Sequence, residues 1–526
     1  MKKNEQQKDG LRLVFDSGSR VLKCAIVTQN GEILALMSYY PEIIRSEDGF
    51  ERIYESNSFW PSVKTLVNNT IKAANVDPKS IRYITSGSIR PSKLFADENN
   101  NPIIMAASFD LRGIDFADEI DQRFLDHTGL PWTESSGHSP SLLFAPARYA
   151  AYLESEAASK NLKIAQYLPF DSWLLVKFGA EPHANYASAA ESGFFDIRSK
   201  CWHEAWYTIF DLPEEFFPIP VQSGHIVGSV NEEVQRELGL SSECDLVAGL
   251  PDSQSALLGM GLIDPGSIIS ILGSTTPVQG ISDKSWVDPK AETWTTLILC
   301  KNVVDSYIIE ANTGITGQVV KWAANLYGST VVDESEKFQI LNRLYEKYDA
   351  EEQGMNESEI IQKGVFANLG PSPLSSSNTG ISQGKFVFGT PGGVEESSHT
   401  IESFVCSVYD NLQFAIDKNI EVVRNRINLS SNQYVYGFCG GITKCRPLTQ
   451  RFADLLNHPI VLSNEPEATI QGLNILCSLA DNTIKSKNDL KDFVQQRKMN
   501  SEFSPRIDMY AKLLIKKQEW EKLFLK

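Results

Sequence analysis

Two short segments of the chain carry residues suited to holding phosphate. In LVFDSGSRVLKCAIV (13–27) an apolar run leads into Asp16-Ser17-Gly18-Ser19 and out through a second apolar run, and SIISILGSTTPVQGI (267–281) repeats the design around Gly273-Ser274-Thr275-Thr276. A strand, a hydroxyl-rich turn and a return strand present backbone N–H groups and hydroxyls at the tip, where phosphate oxygens can be cradled. Asp16 enters the first turn with Lys23 on the return strand, so its carboxylate is placed to hold a hydrated magnesium ion. The same residues also make an ordinary hairpin turn. Asp252, in GLPDSQSALLGMG, ends a strand ahead of a helix rich in small residues. A carboxylate there accepts the proton of a hydroxyl attacking a γ-phosphate, or serves simply as a helix N-cap. Gly440-Gly441, between the strand YGFC and the helix around TQRFADLL, lets a ligand such as adenosine and its α-phosphate approach the backbone, and is equally a tight turn. Two phosphate turns half a chain apart predict two related halves closing on one nucleotide, as phosphoryl transfer requires.

The elements that must position these groups are legible in outline. Residues 11–40 predict a three-stranded antiparallel meander, with Asn30-Gly31 as a hairpin signal. Residues 58–75 place Trp60, Val63, Leu66, Val67, Thr70, Ile71 and Ala74 on one helical stripe, and IRYITSGS (81–88) follows as a buried strand. The segment 167–179 reads as a helix entered after Pro169 and closed by Gly179, and 245–261 as strand, turn and helix. The first-half pattern restarts around residue 262, which puts the boundary near 256–262. In the second half, 333–350 reads as an acidic, solvated helix, 370–380 as a Pro/Ser/Gly surface loop and 400–428 as one long amphipathic helix. The strand QYVYGFCGG, a helix through TQRFADLLN, the strand PIVLS and a helix beginning at NEPEATIQG close the pattern, the last helix capped by Asn464 or Glu465 with Pro466 in its first turn. This alternation predicts an α/β fold with domains over 11–256 and 257–485 and a helical tail over 486–526.

Whole-chain properties narrow the chemistry. The 526 residues suffice for two large domains, and the net charge of −17 disfavours a nucleic acid or an anionic membrane surface as principal partner. Eight scattered cysteines without a C-x-x-C pair indicate buried reduced thiols rather than zinc or disulfides. No run of about 18 apolar residues appears, and the start MKKNEQQKDG reads as polar and disordered, so a cytoplasmic enzyme is expected.

These motifs together resemble the FGGY carbohydrate kinases of the actin-like ATPase superfamily. The family's Asp-x-Gly-Thr turn corresponds to Asp16-Ser17-Gly18-Ser19, its catalytic Gly-x-x-Asp to Gly249–Asp252, and its Gly-Thr-Ser turn to Gly273-Ser274-Thr275. Its adenosine motif corresponds to Gly440, Gly441, Gln450, Ala453 and Asp454, and its closing Glu-Ala-Thr-x-x-Gly to Glu467-Ala468-Thr469 with Gly472. SFDLR supplies Asp110 and Arg112, YLPFDSWLLVKFGAE supplies Asp171, and GQVVKW supplies Gly317 and Trp322. Arg90 in SGSIRP stands where glycerol-kinase-like and autoinducer-2-kinase-like members carry arginine. The resemblance spans about 11–480. It implies two ribonuclease-H-like domains, each a mixed sheet flanked by helices, hinged over an interdomain cleft. It further implies ATP and magnesium as cofactors, with Asp16 organising the metal through water. Asp16, Gly18, Ser19, Gly273, Ser274, Thr275, Gly317, Gly440, Gly441 and Gln450 would surround the nucleotide. Arg90, Asp110, Arg112, Asp171 and Asp252 would face a small carbohydrate, Asp252 as general base; a homodimer is an expectation of the resemblance alone.

Several positions depart from the family pattern. Ser19 replaces threonine, Arg20 and Val21 follow it, Pro251 precedes the catalytic aspartate where glycine is usual, Ile442 replaces a small residue, and the loop before GKFVFG lacks Gly-Glu-Arg-x-Pro. They keep open a competing reading, a non-catalytic sugar- or nucleotide-sensing protein on the same fold. Arg90, Asp110, Arg112 and Asp171 could likewise form a structural ion-pair network. Among branches, the Arg90 context, the Asp288-Pro289-Lys290 segment and YIIEANTG favour autoinducer-2 kinases, with xylulose and glycerol kinases next.

Overall fold

The strand Leu11–Ser17 turns back at Gly18 into Leu22–Val27, pairing Asp16 with Lys23, and Ile33–Tyr39 completes the meander. The computed structural model describes residues 10–91, 93–107, 110–155, 158, 163–371, 383–389 and 399–525. The polar start, most of the 370–380 loop, the segment just before GKFVFG and two residues of SFDLR lie outside these. The chain divides into two units. The first comprises Met1–Ile263, Asp283–Ile308 and Glu467–Arg497, the second Asp264–Ser282, Ile309–Pro466 and Lys498–Lys526.

In the first unit the meander is extended by Ile81–Ser88, which runs parallel to Leu11–Ser17, then by Asp245–Val247, also parallel, and by the antiparallel edge strand Ile226–Ser229. Strands buried on both faces must be apolar throughout, and Leu11, Leu13, Val14 and Phe15 have no solvent exposure. The predicted stripe forms the helix Ser56–Ala74, which buries Phe59, Val63, Leu66, Val67 and Ile71 against this sheet. The helix after Pro169 spans Phe170–Phe178 and ends at Gly179. A second sheet, Ile43–Arg45, Arg52–Tyr54, Pro102–Ala106, Lys93–Ala96 and Gln166–Leu168, joins an aromatic cluster that includes Phe194, Trp202, Trp206, Phe216 and Phe217.

The second unit repeats the pattern. Ser267–Ile271 pairs antiparallel with Pro277–Ser282 and parallel with Val435–Cys439, which pairs parallel with Ile460–Ser463. The helices Thr316–Tyr327, Glu334–Gly354, Ile401–Ile427 and Arg446–Leu456 cover this sheet through Val405, Leu412, Ile416, Phe438 and Phe452. Both units are thus mixed sheets flanked by helices and built on the same hairpin.

Four local expectations are corrected. The helix expected to start at Asn464 or Glu465 begins at Ala468, with Glu467 at the cap position and making no capping bond, because that carboxylate is drawn to Lys23 at 2.6 Å. The acidic helix is not a solvated one: Glu334–Gly354 buries Leu341, Tyr345, Tyr348, Asp349 and Glu352. The tail is not wholly helical, since Asn500–Phe503 joins the sheet antiparallel to Ile460–Ser463 before the helix Met509–Phe524. Gly440-Gly441 opens a short 3-10 turn, Gly441–Lys444, rather than the helix itself.

Candidate active site

At the first turn the Gly18 N–H donates to the Val21 carbonyl at 2.9 Å and the Ile89 N–H to the Ser17 carbonyl at 2.8 Å, which fixes the loop on the end of the parallel strand. Asp16 is buried, while Gly18 and Ser19 are half-buried and Arg20 is exposed. Lys23 Nζ lies 2.6 Å from Glu467 Oε2 and 3.8 Å from Asp16 Oδ2. Burial pushes the Asp16 carboxyl up to about 7; the Lys23 charge pulls it down, and Asp252 and Glu467 add to the upward push. Two carboxyl groups therefore share one ammonium and Asp252 adds negative charge near Asp16, a surplus that suits a cation. Among the described residues no cluster of three or more His, Cys, Asp or Glu forms a ready-made metal cage. The fit is to a hydrated ion reached by Asp16 through water, as magnesium prefers.

Asp252 reaches this cluster through two close approaches that only glycine permits. A Cβ on Gly249 would overlap the Ser86 carbonyl, and one on Gly472 would overlap that of Ser255. The first lets the segment after Asp245–Val247 lie against Ile81–Ser88. The second lets the helices Asp252–Met260 and Ala468–Ala480 cross closely, where Thr469 Oγ1 donates to the Asp252 carbonyl at 3.2 Å. Asp252 is not the N-cap; Pro251 occupies that position and Asp252 is the first helical residue, half-buried, its Oδ1 accepting the Ser253 N–H at 2.7 Å.

The four candidates for the acceptor fall into separate groups of the first unit. Asp171 is buried and pushed up to about 6 by that burial, although Ser188, Ser88 and Asn185 all donate to it. Arg112 grips Asp110 with Nε and Nη2 at 2.9 and 2.8 Å, and Arg148 donates to the Asp110 carbonyl. Arg90 pairs with Glu191 at 2.8 Å, and His138 Nε2 stands 3.4 Å from the other Glu191 oxygen. Burial raises the Glu191 pKa, yet Arg90 and His138 hold it well below the carboxylate range. Asp171 is thus held by hydroxyl and amide donors, whereas Arg112–Asp110 and Arg90–Glu191 are ion pairs. Glu191, His138, Arg148 and Lys93 escaped the sequence reading; the available signal was a lysine opening the otherwise apolar strand Lys93–Ala96.

In the second unit Ser274 is exposed and Thr275 half-buried at the turn tip. The Gly317 N–H donates to the Ser274 carbonyl at 3.1 Å, and the Thr276 and Thr316 hydroxyls meet at 2.7 Å, so the turn is strapped to the start of Thr316–Tyr327. Gly317 is needed there for packing, since a Cβ would press on the Gly273 carbonyl. Gly440 has φ 102° and a Cβ would overlap the Leu272 carbonyl, while Gly441 faces open space. Gln450 uses its amide internally, donating to Asp454 at 3.0 Å and to the Ser504 carbonyl at 2.8 Å. Among the described residues no helix is long and apolar enough to cross a membrane.

Comparison with known proteins bears on the family and the fold. Residues 11–259 match the model of the FGGY family of carbohydrate kinases, N-terminal domain. A Bacillus subtilis (strain 168) protein, YoaC, whose name marks it as a sugar kinase, is 26% identical over 482 residues, covering 89% of each chain. Plasmodium falciparum glycerol kinase with ADP superposes with a TM-score of 0.79 at 18% identity, covering 98% of this chain and 97% of that one. Ligand-bound xylulose kinase from Lactobacillus acidophilus gives 0.78 at 15% identity, covering 98% of both. Residues 11–259 thus match the N-terminal domain of the FGGY family of carbohydrate kinases, and the chain is similar to kinases of sugars and glycerol over most of its length.

Proposed function

We propose that the chain transfers the γ-phosphoryl group of ATP to a hydroxyl, a primary one, of a small sugar, polyol or related carbohydrate, with Asp252 as general base. The carboxylate of Asp252 takes the proton as the acceptor oxygen attacks the γ-phosphorus; the bond to the β-phosphate oxygen breaks and ADP leaves. Asp16, through water, would hold the magnesium ion, which when bound supplies charge neutralisation of the phosphates. Gly18 and Ser19 in the first unit, and Gly273, Ser274, Thr275, Gly440 and Gly441 in the second, offer amides and hydroxyls for the nucleotide. The observation that carries this reading is the Asp16 carboxyl beside the Lys23 ammonium, pushed up to about 7 by burial and further by Asp252 and Glu467.

Coupled ADP release over ketoses, polyols and the autoinducer-2 precursor tests it. Acceptor-stimulated turnover that disappears in Asp252→Ala is expected; turnover that persists in that variant overturns the assignment of the base.

A further inference from the structure

Residues 18–21 join the paired strands Leu11–Ser17 and Leu22–Val27, and side-chain packing does not fill the space beside them. A cavity of about 10 Å³, lined by Ser17, Gly18, Leu22 and Tyr54 among others, borders the turn. Hydrogen bonds hold the turn instead. The Gly18 N–H and the Ser17 carbonyl fix its base, through the Val21 carbonyl and the Ile89 N–H. Its tip is reached by a side chain from another sheet: the Tyr54 hydroxyl donates to the Ser19 carbonyl at 3.1 Å. Tyr54 is itself held firmly. It is buried at the end of the strand Arg52–Tyr54, with its ring centre 6.1 Å from that of Phe59 and 6.3 Å from that of Phe170. Burial pushes its phenol up to about 12, so at neutral pH the hydroxyl keeps its proton and donates.

The consequence lies on the other side of one peptide bond. The Ser19–Arg20 peptide is trans, so its C=O and N–H point in opposite directions. With the carbonyl drawn to Tyr54, the Arg20 N–H is turned away from the aromatic side chains around that phenol. Among the described residues this N–H has no acceptor, and Arg20 is exposed. An unengaged amide at a turn tip is a ready donor to an anion. Turned the other way, the same peptide would present its carbonyl oxygen there, and the partial negative charge would repel a phosphate. The contact runs through the backbone, so it tolerates arginine where the family has a small residue.

Resting on the kinase reading above, we propose that Tyr54 is a positioning residue for phosphoryl transfer: its hydroxyl holds the Ser19 carbonyl inward, and the Arg20 N–H of the same peptide thereby faces the phosphates of the nucleotide.

Tyr54→Phe tests this, because it keeps the ring and removes only the hydroxyl. On the full chain with magnesium, ADP release gives kcat and KM for ATP and for the acceptor, and calorimetry gives the affinity for ATP. The variant is expected to lose about 10-fold in kcat/KM for ATP, the scale of one hydrogen bond to a charged group, while the acceptor KM stays unchanged. A merely structural role would lower the unfolding temperature and leave that selective loss unseen. A kcat/KM for ATP that matches the parent, or a loss matched by an equal rise in acceptor KM, overturns the proposal and leaves the kinase reading intact. ATP bound about 10-fold more weakly by Tyr54→Phe, with no ADP release from any acceptor in the parent, supports the positioning role and overturns the kinase reading instead. A parent that binds no ATP overturns both.

Discussion

Replacing Asp16 by asparagine should make the protein more stable and inactive at once. A carboxyl that titrates near its ordinary 3.8 when unfolded but at about 7 in the fold binds more protons folded than unfolded between those values. Stability therefore falls as pH rises from about 4 to about 7, and the full cost is present above pH 7. The difference of about three pH units corresponds to about 4 kcal/mol as an upper bound, at about 1.4 kcal/mol per unit. The Lys23 pairing at 3.8 Å is already inside that net difference, and a buried asparagine amide is desolvated too, so Asp16→Asn should gain about 2–3 kcal/mol at pH 8 and about half of that at pH 5.5. Denaturant unfolding followed by tryptophan fluorescence reads the right part of the molecule, because seven of the nine tryptophans belong to the first unit. Adding magnesium should then stabilise the parent protein and not the variant, since only the parent holds the anion that binds the ion. A variant less stable than the parent at pH 8, or a gain that ignores pH, would refute the electrostatic account of the site.

Three further outcomes follow from the same structure. Asp252→Asn should lower kcat by about 10²–10⁴-fold with little change in acceptor KM, because a general base acts in the transition state; steady-state kinetics reads the split. Gly249→Ala should cost about 2–3 kcal/mol or more, measured by thermal unfolding, since its methyl group overlaps the Ser86 carbonyl and backbone must move. Lys516→Met should cost about 3–5 kcal/mol and loosen the helix Met509–Phe524 to limited proteolysis. It removes one cation from buried Glu352 and Asp410, which Lys516 meets at 2.5 and 2.6 Å and which it shares with Arg451.

What could be read from the residues alone was whatever a local signal encodes. The alternation around Asp16-Ser17-Gly18-Ser19 and around Gly273-Ser274-Thr275 specified both hairpins, and the stripe from Trp60 to Ala74, read within 58–75, specified its helix to within two residues at each end. Pro169 and Gly179 bracketed their helix correctly. The failures are of one physical kind. Glu467 looks like part of a helix start, but an ion pair with Lys23, 444 positions away, overrides its capping propensity. Asp349 and Glu352 look like solvent-facing acids until Arg451, Arg506 and Lys516 reach them from distant segments. Lys93, Glu191 and His138 carried no spacing that links them, because three different elements bring them into one region.

The departures from the family pattern motivate a sensing role, and their placement argues against it. Pro251 sits in extended backbone at φ −53° as the cap of Asp252–Met260, a position where proline's fixed φ is at home and its missing N–H costs the helix nothing. Val21 serves the first turn through its carbonyl, which any residue supplies, and Arg20 is exposed beyond the Asp16–Lys23 pair. None of these substitutions disturbs the backbone that holds Asp16, Ser19 and Asp252. The charge arrangement itself is the stronger consideration: burial, with Asp252 and Glu467 adding to it, pushes the Asp16 carboxyl up to about 7 and so lowers stability above that pH, and a neutral side chain at position 16 would relieve it. A protein that only bound sugar would have no use for that cost, whereas one that must hold a hydrated cation and take a proton beside a phosphate does.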